Sequence, residues 1–113
     1  MKIRKFHIYL ADLSPALETE PGKTRPVVVI QTDLLNDEHP STIIFPLTTN
    51  TKKGSLILRV HLSEREAGLN KNSDILVDQI RAIDNRRFIK EIGILSNLHQ
   101  KQLLENIKTL LLE

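Results

Sequence analysis

The chain contains no cysteine, which removes disulfide frameworks, thiolate metal sites and cysteine nucleophiles from consideration. At 113 residues it needs no such staple, because a chain of this size buries roughly two-thirds of the surface its unfolded form exposes. A cysteine-free small protein fits a reducing compartment, and a cytoplasmic location is expected. No apolar run approaches the ~18 residues of a membrane helix, and the start lacks a signal-peptide core, so no membrane association is expected. A large charge excess is missing too. Sixteen basic residues against fourteen acidic ones leave a formal charge of +2, so any contact with nucleic acid must be local. The four histidines, at 7, 39, 61 and 99, show no ligand spacing, and neither G-x-S-x-G nor H-E-x-x-H occurs. No repeat, low-complexity tract or linker divides the chain, which reads as one domain over residues 1–113.

What is present concentrates in Glu20-Pro21-Gly22-Lys23-Thr24-Arg25-Pro26-Val27-Val28-Val29-Ile30. A polar loop ends in an arginine, and a proline then launches a β-branched run suited to a strand buried on both faces. Pro26 has no amide hydrogen to donate, so it fits the first position of that strand, and it biases Arg25 toward extended geometry. A guanidinium tied to the mouth of a rigid strand is well placed to grip a phosphate in two-point contact. Gly22-Lys23-Thr24 is not the tail of a nucleotide P-loop. That motif needs a glycine where Leu17 stands and a helix where Pro26 and the valines stand.

Along the rest of the chain, residues 3–13 read as a first strand, 16–25 as a loop, and 26–31 as the buried strand. Residues 33–37 suit a helical turn. Residues 42–48 form a β run in which Pro46 suggests an edge or a bulge. Residues 56–62 alternate, with Leu56, Leu58, Val60 and Leu62 on one face and Arg59 and His61 on the other. Residues 63–68 look like a helical turn closed by glycine. Residues 74–83 read as one longer strand, with Gln79 and Arg81 on the same face. A short helix is expected at 84–88 and a short strand at 92–95. Asn97 and Gln100 have capping-box spacing, and leucines at helical spacing follow. Short strands with one terminal helix favour a small, strongly bent sheet or barrel.

Glu20, Arg25, Thr48, Thr49, Gln79 and Arg81 lie at strand ends or in adjoining loops, where sites tend to sit. Together they offer a general base, two phosphate-binding forks and hydroxyl donors. They offer no nucleophile beyond a hydroxyl. Such a set suits a substrate that brings its own nucleophile, as RNA does with its 2′-hydroxyl.

Several segments resemble the MazF/PemK toxins, ribosome-independent endoribonucleases of bacterial toxin–antitoxin pairs. Tyr9-Leu10-Ala11-Asp12-Leu13-Ser14-Pro15 resembles the family's opening strand and turn, and Gly22 to Ile30 its G-x-x-R-P-V-V-V-I signature. Pro46-Leu47-Thr48 resembles its P-I-T segment, and Gly68-Leu69 with Ser73 its G-L-x-x-x-S stretch. Gln79-Ile80-Arg81-Ala82-Ile83-Asp84 with Arg87 resembles its Q-I-R-x-I-D-x-x-R block. The chain departs from the family where Lys5-Phe6-His7 stands for a basic-Gly-Asp triplet. In the loop, Glu18-Thr19-Glu20-Pro21-Gly22-Lys23 replaces G-S-E-Q-G-G.

The resemblance implies a mainly β fold, a small SH3-like barrel with a C-terminal helix, acting as a homodimer. It implies sequence-specific cleavage of single-stranded RNA, such as mRNA, without metal or other cofactor. The products would carry a 2′,3′-cyclic phosphate and a 5′-hydroxyl. Carried over residue by residue, Arg25 and Thr48 match the catalytic pair, and Glu20 matches an acidic loop residue used as base. Gln79 and Arg81 match a strand that supports the site or touches RNA. Lys23 adds a cation beside the expected phosphate, Thr49 a hydroxyl, and His7 is a second-choice base. An antitoxin with a disordered acidic tail is the implied protein partner. DNA is not an expected ligand of the toxin alone. Two alternatives share the barrel: a gyrase poison of the CcdB type and a catalytically idle binding module. The first carries a tryptophan in its C-terminal tail, whereas this chain has none and ends Leu111-Leu112-Glu113.

Overall fold

The computed structural model describes residues 1–14 and 23–113. Seven antiparallel strands form its body: β1 (His7–Asp12), β2 (Thr24–Val29), β3 (Ser41–Thr48), β4 (Arg59–Leu62), β5 (Ser73–Leu76), β6 (Arg81–Asp84) and β7 (Phe88–Ile94). They pair in the order β4-β5-β3-β2-β1-β7, with β6 added beside β3. This is the mainly β class expected, as a strongly bent sheet. Among the described residues its end strands β4 and β7 do not pair, so the barrel stays open along that seam.

The valine run explains the two-sided architecture. Val27, Val28 and Val29 are all fully buried, and successive side chains of a strand point to opposite faces. Val28 joins one apolar cluster with Phe45, Leu47, Val60 and Ile75, while Val27 and Val29 join a second with Tyr9, Ala11, Leu13 and Ile44. The second cluster is held partly by polar bonds. The Tyr9 hydroxyl donates to the Lys2 carbonyl at 2.8 Å and accepts from the Arg4 N–H at 2.8 Å, which staples the N-terminal segment across β1. Burial pushes the Tyr9 hydroxyl up to about 12.

β3 is the hub of the sheet, and here the structure corrects two expectations. Pro46 lies in a central strand, not at an edge, paired with Val27 of β2. On the other side of β3, β6 pairs with Ser41 to Ile44 and β5 with Leu47 and Thr48. Pro46 therefore falls in the gap between two partners, where a missing donor interrupts neither ladder. The same gap divides the expected single strand over 74–83. A 3-10 turn at Val77–Gln79 separates β5 from β6, so Gln79 and Arg81 do not share the face of one regular pleat. That corner bends the sheet.

Other boundaries shift for local reasons. β1 begins only after Phe6, whose φ of 67° marks a left-handed turn. The alternating run 56–62 pairs only over Arg59–Leu62; Val60 and Leu62 are buried, whereas Leu56 and Leu58 are exposed. β7 is longer than expected and carries register shifts against β1 that add to the bend. Helix α1 (Asn97–Ile107) is capped by Ser96, one residue before the expected cap, with its hydroxyl accepting from the His99 N–H. Leu103 is fully buried against the first cluster, with Ile107 and the following Leu110 packed beside it. Among the described residues no helix is long and apolar enough to cross a membrane.

Gly68 and Gly93 lock the turn at Glu66–Gly68 onto β7. A Cβ on Gly68 would stand 1.7 Å from the Ile92 carbonyl oxygen, and one on Gly93 would stand 1.9 Å from that of Ala67. Gly68 also has a φ of +79°, a conformation L side chains rarely adopt. Residues 69–73 therefore leave this turn from a fixed anchor.

Candidate active site

The geometry starts with the pairing of β2 and β3. Their register runs Val27 opposite Pro46, Val28 opposite Phe45 and Val29 opposite Ile44. The pairing ends at Val27 and Pro46, and Arg25 and Thr48 each lie two residues beyond it, on the adjoining ends of β2 and β3. Both side chains line one cleft of about 210 Å³, together with Lys23, Thr24, Thr49 and Ser73. The guanidinium before the valine strand and the hydroxyl closing the next strand thus share a surface.

Each group is fixed by its strand. Arg25 is half-buried, and its backbone pairs with Ala11 of β1. The Thr48 hydroxyl accepts a hydrogen bond from the Asn50 N–H at 3.1 Å, so its acceptor side is engaged and its proton is left to donate. Lys23 adopts a left-handed φ of 61°, and its N–H donates to the Ser14 hydroxyl at 3.0 Å. Its carbonyl accepts from the Leu13 N–H at 2.8 Å, which closes the base of the loop between β1 and β2. Arg87 clamps that base from outside by donating to the carbonyls of Asp12 and Ser14. A cation is thereby held at each side of the loop's root.

The remaining expected site residues divide. Glu20 lies outside the described residues. Gln79, in the turn after β5, and Arg81, which opens β6 opposite Ile44, do not line the cleft. His7 stands four residues along β1 from Ala11, which faces Arg25, a separation of roughly 13 Å at the usual strand rise. Its ring is hydrogen-bonded to Glu91 of β7. That position argues against His7 as the base at this cleft.

Sequence reading passed over two features. Ser73 lines the cleft and is almost fully buried, its hydroxyl donating to the Lys71 carbonyl at 3.0 Å. Its only signal was its place in the glycine-leucine-serine stretch. The second is Asp74, which pairs directly with Thr48 in the β3–β5 ladder and is fully buried. Its carboxylate accepts from the Lys52 N–H at 2.9 Å and from Arg59 at 3.0 Å, and it bonds the His61 ring at 2.6 Å. Burial alone would raise the Asp74 carboxyl, but these hydrogen bonds outweigh it and hold the group below the usual carboxylate range. Arg59 and His61 on one face of a strand, opposite an acid inside an apolar run, were the available signal.

Among the described residues the cleft is lined by two cations and donor hydroxyls at the strand ends of a small bent sheet, an arrangement suited to receiving an anionic group. The sequence matches the PemK-like, MazF-like toxins of type II toxin–antitoxin systems over residues 4–111, and the chain belongs to that family. It is similar to Endoribonuclease MazF of Staphylococcus epidermidis, 38% identical over 94 residues that span 83% of this chain and 78% of the relative. Its fold is similar to that of MazF from Deinococcus radiodurans. The TM-score is 0.83 at 20% identity, covering 98% of this chain and 97% of the other. The MazE–MazF complex of the same organism aligns with a TM-score of 0.76 at 16% identity, over 98% of this chain and 96% of that one.

Proposed function

We propose that residues 1–113 form a single toxin domain acting in the cytoplasm as a sequence-specific, metal-independent endoribonuclease on single-stranded RNA, mRNA included. The observation that carries this reading is the shared cleft of Arg25 and Thr48. The similarity to Endoribonuclease MazF of Staphylococcus epidermidis supports it independently.

In the proposed reaction the 2′-oxygen attacks the adjacent phosphorus in line with the 5′-oxygen. The new P–O2′ bond forms as the P–O5′ bond breaks, leaving a 2′,3′-cyclic phosphate and a 5′-hydroxyl. Glu20 takes the proton from the 2′-hydroxyl, a role worth ~10²–10⁴-fold for a positioned base. Arg25 stabilises the charge that builds on the equatorial oxygens, and Thr48 donates a hydrogen bond to the same oxygens. A guanidinium with a pKa above ~12 is a poor acid at neutral pH, so the leaving oxygen takes its proton from water. Lys23 and Thr49 hold neighbouring parts of the strand in the cleft, while Gln79, from the turn before β6, and Arg81, from β6, contact RNA beyond it or brace the site.

The toxin acts as a homodimer and is neutralised by a MazE-like antitoxin whose acidic tail covers the cationic cleft. The MazE–MazF neighbour from Deinococcus radiodurans supports the antitoxin partner in this reading.

Arg25→Ala is expected to lower cleavage of a long single-stranded RNA by ~10²–10³-fold, the usual cost of losing one such charge-stabilising group. Circular dichroism should show the fold unchanged; near-wild-type cleavage would refute the assignment. Cleavage should persist in excess EDTA. A strand with one 2′-deoxy sugar at the scissile nucleotide should stay intact there, since the nucleophile is gone. Incubation with supercoiled DNA and gyrase separates this reading from a gyrase poison, and silence in both assays would indicate an idle binding module.

A further inference from the structure

The segment 49–58 between β3 and β4 carries Thr49 into the cleft, and its first turn is held by side chains of the neighbouring strands. Asp74 of β5 divides its carboxylate between them. Its Oδ1 bonds the His61 ring at 2.6 Å, and its Oδ2 accepts from the Lys52 N–H at 2.9 Å and from Arg59 Nη1 at 3.0 Å. The same Arg59 nitrogen donates to the Asn50 carbonyl at 2.8 Å. Asn50 in turn donates its own N–H to the Thr48 hydroxyl at 3.1 Å. A line of hydrogen bonds thus runs from a buried acid, through one guanidinium and one residue of backbone, to the hydroxyl in the cleft.

Stability alone gives no reason for charge at this place. The Arg59 side chain is 14% exposed and that of Asp74 1%, and a buried ion pair often stabilises a fold no better than apolar residues of similar volume. Substrate contact does not account for Arg59 either, since the side chain is nearly covered and its Nη1 is committed to two acceptors. The backbone around it is anchored from two sides. Asn106 of helix α1 donates to the Leu56 and Arg59 carbonyls at 3.0 and 3.3 Å, and the Val77 N–H donates to the Leu58 carbonyl at 2.9 Å. Arg59 therefore reaches the turn from a fixed base.

We infer that Arg59 and Asp74 are positioning residues for RNA cleavage, which through the Asn50 peptide set the direction in which the Thr48 hydroxyl donates. The inference rests on the endoribonuclease reading of the cleft. A threonine hydroxyl is a rotor with one proton and two acceptor sites, so an N–H held against one acceptor site narrows where the proton lies. Freed from Arg59, the Asn50 peptide no longer has a fixed tilt, although Thr48 stays in β3 through its pairing with Asp74. A misplacement of about 1 Å at a reacting centre costs on the order of 10²-fold in rate. Lys23 and Arg25 are untouched by such a change, so the loss falls on the chemical step and spares substrate binding.

The test uses the full chain and a long single-stranded RNA. Arg59→Met keeps most of the apolar stem and removes every donor, and thermal melts choose a temperature at which it and wild type are both folded. There kcat should fall about 10²-fold with KM nearly unchanged, the pattern of an interaction that matters only in the transition state. Arg59→Lys again offers one nitrogen to both acceptors and should recover most of the rate. A second readout needs no RNA: amide exchange at Asn50 and Lys52 should quicken about tenfold in Arg59→Met, while exchange in β2 stays as in wild type. If Arg59→Met does not fold, Arg59→Gln carries the same measurements. Wild-type exchange at both amides would overturn the inference, as would an unchanged kcat. A loss confined to KM would overturn it too, by making Arg59 a contact to RNA. A wild-type protein that cuts no RNA at all would instead defeat the endoribonuclease reading, with the two amides still reporting on the turn.

Discussion

Thr48 shows how much chemistry a single side chain can take from its backbone neighbours. Asn50 occupies an acceptor site of its hydroxyl, which leaves the proton free to donate in the cleft that Arg25 shares. A hydrogen bond to a charged phosphate oxygen is worth about 1.5–3 kcal/mol. Thr48→Val keeps the shape and removes the donor, so single-turnover cleavage should slow by roughly 10–100-fold. Thr48→Ser keeps the hydroxyl and should recover most of the rate. If Val and Ser variants cleave equally fast, the hydroxyl has no part in the reaction. Arg25 differs in kind: its charge acts at any orientation the fork can reach, whereas the threonine acts only along its O–H direction. Both residues were legible in the sequence because each sits where a proline-marked strand meets a polar loop. Asp74 was not, since an acid inside Ser73–Leu76 reads as an interruption until its partners on β4 are known.

At the level of elements, β3 and the strands beside it decide where the site can be. β3 pairs on one edge with β2 and on the other with β6 and then β5, so the strands lining the cleft are registered against it. Sequence periodicity reported β2 and β3 well, because both are buried on two faces and read as continuous apolar runs. It failed at the junction of β5 and β6. There no glycine or proline marks the 3-10 turn between Leu76 and Arg81, and only a change of pairing position along β3 reveals the corner.

Asp74 is the fastening of this region. It joins the backbone of Lys52, the Arg59 guanidinium and the His61 ring to the strand beside Thr48. Removing one member of a buried ion pair typically costs about 3–5 kcal/mol, so Asp74→Ala should lower the urea midpoint markedly. The pH dependence has a definite sign. The folded Asp74 carboxyl lies below its unfolded value near ~3.9, so its contribution is fully present above that value and is lost as pH falls through the lower folded one. The stability gap between wild type and Asp74→Asn should therefore be flat at neutral pH and narrow below about pH 4. A gap unchanged down to pH 2 would mean that the charge contributes nothing.

For the whole molecule, a formal charge of +2 sets a limit on how the proposed RNA substrate could be held. The protein cannot attract a polyanion through a broad field, because sixteen cations are nearly balanced by fourteen anions. Attraction must come from cations brought together by the fold. Lys23 and Arg25 in the cleft meet that requirement. Two phosphate contacts on a single strand predict a log–log dependence of affinity on salt with a slope of about −1.4. The slope should be measured by equilibrium binding of an RNA carrying a 2′-deoxy sugar at the cut site, which binds without being consumed. If all sixteen basic residues took part, the slope would approach about −11, and a value near zero would mean that phosphates are not the handle at all. A shallow but definite dependence is the expected result, because the folded chain places only a few of its cations along one path.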